Sequence, residues 1–139
     1  MASPTNERRL KDALLISNSA VLPNAANTIY TNVIDLQVTL PYPIQEHIVA
    51  QLATTVSTGA NSKNINVTLQ HSADTNTSNF VNIPTLKVYA IAGNATNFPA
   101  TTVNYSLPVD TKRYIRALAL GEANGGDASD GTLTINLLF

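Results

Sequence analysis

Between Asn64 and Gln70 the chain alternates without a fault: Ile65, Val67 and Leu69 are apolar, and Asn64, Asn66, Thr68 and Gln70 around them are polar. Successive side chains point to opposite sides only in an extended strand, so this stretch puts one face in a core and the other in water. The pattern returns at the C-terminus, where Leu133, Ile135 and Leu137 are set against Thr132, Thr134 and Asn136. Weaker versions run through Tyr30, Ile34, Leu36 and Val38, with Asn32 the polar exception, through Ile48, Ala50 and Leu52, and through Val103, Tyr105 and Leu107. Each reads as one strand with one wet face, which is the habit of antiparallel sheets.

Punctuation between these runs sets their lengths. Pro41-Tyr42-Pro43 stops the first, since proline cannot donate to a sheet ladder. Ser57 to Gly59 is a turn, and His71 to Asn79 is a polar surface loop without periodicity. A short apolar piece, Phe80 to Ile83, precedes a strand from Leu86 to Ile91 and a loop from Gly93 to Ala100. A Gly/Asp/Asn-rich hairpin loop spans Gly121 to Gly131. The reading is all-β, a jelly-roll-like antiparallel β-sandwich of seven or eight short strands over residues 28–139. Residues 1–27 differ: they are polar at the front, briefly apolar at Leu10, Leu14, Leu15 and Ile16, then small and polar again. Leu10 and Leu14 have helical spacing, but the segment is too short to hold a helix alone. It reads as an extended N-terminal arm that needs a surface to lie on.

At 139 residues the chain supports one core. Charged residues make up only 12% of it, and 16 Asn and 17 Thr solvate the surface instead, residues that suit turns and strands. A formal charge of −1 gives no field to draw the molecule to nucleic acid or to an anionic membrane. No cysteine is present, so disulfides and thiolate metal sites are excluded. The start lacks the apolar core of a secretory signal, and no run approaches 18 apolar residues, which leads us to expect a chain made and kept in a cytoplasm. The Asn-x-Ser/Thr triplets at Asn66, Asn76, Asn94 and Asn104 then follow from composition and are not glycosylation acceptors.

Catalytic constellations are missing. His47 and His71 stand apart, with no carboxylate at ligand spacing, and read as partly exposed residues at strand ends. Asp127 and Asp130, with Asn124 and Ser129, form an oxygen-rich group that does not match a calcium loop. No phosphate loop, nucleophile elbow or dinucleotide fingerprint occurs, so neither catalysis nor a cofactor is expected. The strongest surface signal is Lys112-Arg113-Tyr114-Ile115-Arg116. In a strand Arg113, Ile115, Ala117 and Ala119 share one side, while Lys112, Tyr114, Arg116, Leu118 and Leu120 share the other. Alternation therefore splits the apparent basic patch, leaving a strand with a polar mouth and a core middle instead of a nucleic-acid grip.

The order of these features resembles a known family. Asp12 to Val21, then Thr31-Asn32-Val33-Ile34-Asp35-Leu36, then Val67-Thr68-Leu69-Gln70-His71-Ser72 followed by an Asn-rich loop and Phe80, then Tyr105-Ser106-Leu107-Pro108 and Arg113-Tyr114-Ile115-Arg116, look like the Bordetella-phage-type capsid cement proteins of tailed bacteriophages. The polar front Met1 to Arg9 and the Pro-rich Tyr42 to Glu46 depart from that pattern. The resemblance implies a homo-oligomer, dimer or trimer, on the outer capsid surface of a virion, bridging neighbouring major capsid protein subunits without catalysis or cofactor. It makes Arg8, Arg9, Leu10, Leu14, Leu15 and Ile16 in the arm, with Arg113 and Arg116 in the body, the candidate partner-binding residues. A phage-fibre head that binds carbohydrate or a receptor through loops 71–79, 93–100 and 121–131 is the alternative, opposed by the lack of Trp and by only 6% aromatic residues.

Overall fold

The alternating runs become strands whose apolar sides meet. The structure, a computed structural model, describes residues 17–36, 49–59, 62–83, 89–93, 97–108 and 110–138. Twelve strand segments lie among them: β1 (Ser17–Val21), β2 (Thr28–Tyr30), β3 (Ile34–Asp35), β4 (Val49–Thr54), β5 (Ser57–Thr58), β6 (Asn64–Ser72), β7 (Val81–Asn82), β8 (Tyr89–Ala92), β9 (Asn97–Phe98), β10 (Thr102–Ser106), β11 (Tyr114–Gly121) and β12 (Thr132–Leu138). Seven of these have four residues or more, in line with the expected count of strands.

Two antiparallel sheets form the sandwich. One has four strands in the order β1-β12-β4-β10. The other has six, built on the long pair β6–β11, with β2 and β3 following one another along the outer side of β11, and β7 and β8 along the free side of β6. A third, two-stranded pairing joins β5 to β9. Between the sheets lie Leu52, Val67, Ile115, Ala117, Ala119, Leu133, Ile135 and Leu137, each fully buried. Alternating residues from both sheets thus fill one layer, as a sandwich requires.

Four details depart from the sequence reading. The run from Tyr30 to Val38 is not one strand: β2 and β3 are separated at Thr31, whose backbone N–H donates to the Ala117 carbonyl at 2.9 Å and whose hydroxyl accepts from the Ala117 N–H at 2.9 Å. The side chain replaces a ladder partner, so the chain shifts without orphaning a buried amide. Second, Ser17–Val21, placed within the 1–27 arm, is an edge strand on β12, and Leu22 enters the core at 1% exposure. The edge of the fold therefore does not fall at residue 27. Third, the loop from Gly121 to Gly131 is no hairpin: it carries the chain from β11 in one sheet to β12 in the other. Gly121 can start this crossing because a Cβ there would lie 1.9 Å from the Ala25 carbonyl oxygen. Fourth, His71 is buried, with Nδ1 accepting from the Lys112 N–H at 3.2 Å, and is not a partly exposed strand end. His47 lies outside the described residues.

Candidate functional site

The second half of β6 breaks the one-wet-face rule. Its outward side chains Thr68, Gln70 and Ser72 are all under 9% exposed, although the sequence assigns Thr68 and Gln70 to solvent. What covers them comes from the neighbouring strands. Register pairs Arg116 of β11 with Gln70, and Gln70 in turn with Asn82 of β7. Arg116 therefore stands in the middle of the outer face of the six-stranded sheet, and it is only 6% exposed.

Two rings make that possible. The guanidinium carbon lies 4.0 Å from the Tyr30 ring centroid and 4.3 Å from that of Phe80, so the cation packs against two aromatic rings. Such stacking suits guanidinium because it is planar and weakly hydrated. In its plane, Nε donates to Gln70 Oε1 at 2.9 Å and Nη2 to the Thr77 carbonyl at 3.3 Å. Gln70 is itself held, its Nε2 donating to Asn82 Oδ1 at 3.1 Å. Burial holds the Arg116 pKa below its usual value, partly opposed by Tyr30.

Phe80 and Thr77 reach Arg116 through the Asn-rich loop that follows β6. Asp74 organises it: one carboxylate oxygen accepts from the Asn76 N–H at 2.9 Å, and both accept from the Asn79 side-chain amide at 3.2 and 3.0 Å. Asn76 caps the short 3-10 turn Thr77–Asn79 by accepting from the Ser78 N–H at 3.1 Å. Local Asx chemistry of this kind gives a polar loop a defined shape. Here the shape delivers a carbonyl and a ring to the same guanidinium.

Arg113, three residues earlier, has a different fate. Its Nε and Nη2 make a bidentate pair with the Asp35 carboxylate at 2.8 and 2.9 Å, at the start of β11 where β3 runs alongside. The hydrogen bond from Asp35 raises its pKa. Both side chains of that pair are more than a third exposed. The two arginines expected at the strand's mouth are thus separated: Arg113 sits at the mouth, paired within the chain, and Arg116 is buried farther along. Arg8, Arg9, Leu10, Leu14, Leu15 and Ile16 lie outside the described residues.

On the β2 side of the stack lie apolar side chains. Tyr30 is 47% exposed and Leu120 41%, with Leu118 half-buried between them on the same side of the sheet. The result is a buried cation flanked on one side by aromatic and aliphatic side chains and on the other by amides, a mixture found where proteins meet. Sequence reasoning missed Tyr30, Gln70 and Phe80 as members of this site. Parity put Arg116 beside Leu118 and Leu120, which signalled an unusual outer face, but nothing local tied it to rings 86 residues before it and 36 before it in the chain.

Other chemistry finds no scaffold among the described residues. No group of three or more His, Asp or Glu side chains gathers as metal ligands do. Ser129 instead holds the Asp127 carboxylate, and its side-chain hydrogen bond, then its backbone N–H at 2.9 Å, lower the Asp127 pKa. No described helix is long and apolar enough to cross a membrane.

No protein-family model and no curated protein matches the sequence. Among solved structures, the chain is similar to one described as "CBM4 structure and function", at 14% identity and a TM-score of 0.38, over 90% of this chain and 80% of that one.

Proposed function

We propose that the chain is a structural protein of a tailed-phage virion, a cement that sits on the outer surface of the head and joins neighbouring major capsid protein subunits. One observation supports this reading beyond the family resemblance: on the outer face of the six-stranded sheet, exposed Tyr30 and Leu120 lie beside the buried Arg116 stack, a mixture suited to a protein partner. A cement needs such a stiff face, since every side chain ordered in advance is entropy not lost on docking. The arm supplies a second attachment, and linking two weak contacts multiplies their avidity.

The test is reconstitution on empty heads that lack the protein. The full chain should decorate them to a fixed stoichiometry and raise the temperature at which they burst; heads that take up none of it would sink the reading. Removing residues 1–16 stops short of β1, so the truncated chain should keep its unfolding temperature and lose most of its occupancy. Full occupancy by the truncated chain would remove the arm from the account.

A second reading, a carbohydrate-binding sandwich, draws on the half-exposed Tyr30 ring lying in the same sheet face as the Gln70 and Asn82 amides. Sugars stack on such rings, so micromolar binding on a glycan array that is lost in Tyr30→Ala would favour it over the cement.

A further inference from the structure

We propose that Arg116 is the key of the docking face: its guanidinium edge receives a single carboxylate from the partner protein, an ion-pair partner that no described residue supplies. The inference rests on the cement reading and names the chemistry that the capsid surface must present. Buried charges are ordinarily paired, because an isolated charge out of water is expensive. In this chain the assignment is inverted. Arg113, at a half-exposed site, has a carboxylate gripped in two places, while Arg116, at 6% exposure, has only the neutral oxygens of Gln70 and Thr77 and no carboxylate among the described residues.

Geometry narrows the ligand further. A guanidinium carries five N–H donors. Two are used, one on Nε and one on Nη2, and the other three, both on Nη1 among them, meet no acceptor among the described residues. The rings of Tyr30 and Phe80 crowd the guanidinium carbon at 4.0 and 4.3 Å, which leaves the N–H edge for an acceptor. In-plane approach to adjacent N–H groups is how a carboxylate binds arginine with two parallel bonds. A polyanion such as nucleic acid would need several cations on this face. Here the neighbouring charge just before β11, Arg113, is already paired with Asp35. One buried cation beside exposed Tyr30 and Leu120 fits one acidic side chain on a protein surface.

Gln70→Glu tests this, because the new carboxylate would lie against Nε at the present 2.9 Å and neutralise Arg116 from within. The variant should unfold at a higher temperature than the wild type, yet bind undecorated heads at least about tenfold more weakly, as expected when a charge-assisted pair loses its partner. Thr134→Ala, on the outer face of the four-stranded sheet, should bind as the wild type does. Equal head binding by Gln70→Glu and wild type overturns the inference while leaving the cement reading intact. If the wild type itself ignores heads, that reading fails, and polyglutamate becomes the probe. Its addition should then shift the Arg116 Nε–H NMR signal in the wild type and not in Gln70→Glu, and no shift overturns the inference. Binding of polygalacturonate together with indifference to heads and polyglutamate also overturns it, in favour of an acidic glycan.

Discussion

On the outer face of the four-stranded sheet, Ser19 and Thr134 meet through hydroxyls 2.8 Å apart, and the Asn136 amide donates to Gln51 at 3.2 Å. On the outer face of the six-stranded sheet, an arginine lies buried against two rings and holds the Gln70 side chain of the neighbouring strand. Both faces point away from the same core. The first consists of short cross-strand pairs that compete with water, each contributing a few tenths of a kcal/mol to about one. The second is a small core of its own, and its residues depend on one another. A sheet face becomes a candidate site when charged and aromatic side chains gather on the side that faces away from the core, and among the described residues the six-stranded sheet does this.

Truncation separates the two faces most sharply. Arg116→Ala removes two stacked rings' partner and strands Gln70 Oε1 and the Thr77 carbonyl, so it should lower stability by about 3 kcal/mol. Thr134→Ala, on the opposite face, should stay within about 0.5 kcal/mol. Urea unfolding of both variants checks the contrast, and equal effects would erase it.

Acid probes the six-stranded sheet by a different route. Burial depresses the His71 pKa, Lys112 depresses it further, and Asp110 opposes both. Its Nδ1 must also stay unprotonated to accept from the Lys112 N–H. A histidine with a lowered folded pKa binds its proton more readily when unfolded. Its contribution is therefore complete above the ordinary value near 6.5 and is lost as pH falls from there toward the folded value. Melting temperature should drop between pH 7.5 and 5.5 by more in the wild type than in His71→Gln. An identical pH profile in the variant would assign the acid sensitivity to other groups. The smallest effect belongs to Asp35→Asn: its pair with Arg113 is half-exposed, so the loss should be slight at low salt and vanish in 0.5 M NaCl, in thermal melts run side by side.

Much of the fold was legible from alternation. Ile65, Val67 and Leu69 face inward as read, as do Leu133, Ile135 and Leu137, because a strand with one apolar side has only one way to lie on a core. The site was legible only in part. Residue parity placed Arg113 and Arg116 on opposite sides of β11, but whether a cation on the outer side stays in water depends on what the adjacent strands carry. Tyr30 arrives from β2 and Phe80 from a loop folded by Asp74, and neither is near Arg116 in the chain. The same blindness explains Ser17–Val21, whose Ser-Asn-Ser-Ala sequence has no alternation and becomes a strand because β12 offers it an edge.

Composition and period two, by themselves, determined an all-β sandwich with an Asn/Thr surface, since local backbone preference and a repeat of two act over neighbouring residues. Pairing was decided by the tertiary structure alone. It set which strand lies beside β11, and so whether Arg116 meets water, a carboxylate or two rings. That choice is an interaction between segments far apart in the chain, and its free energy exists only once the sheet has closed.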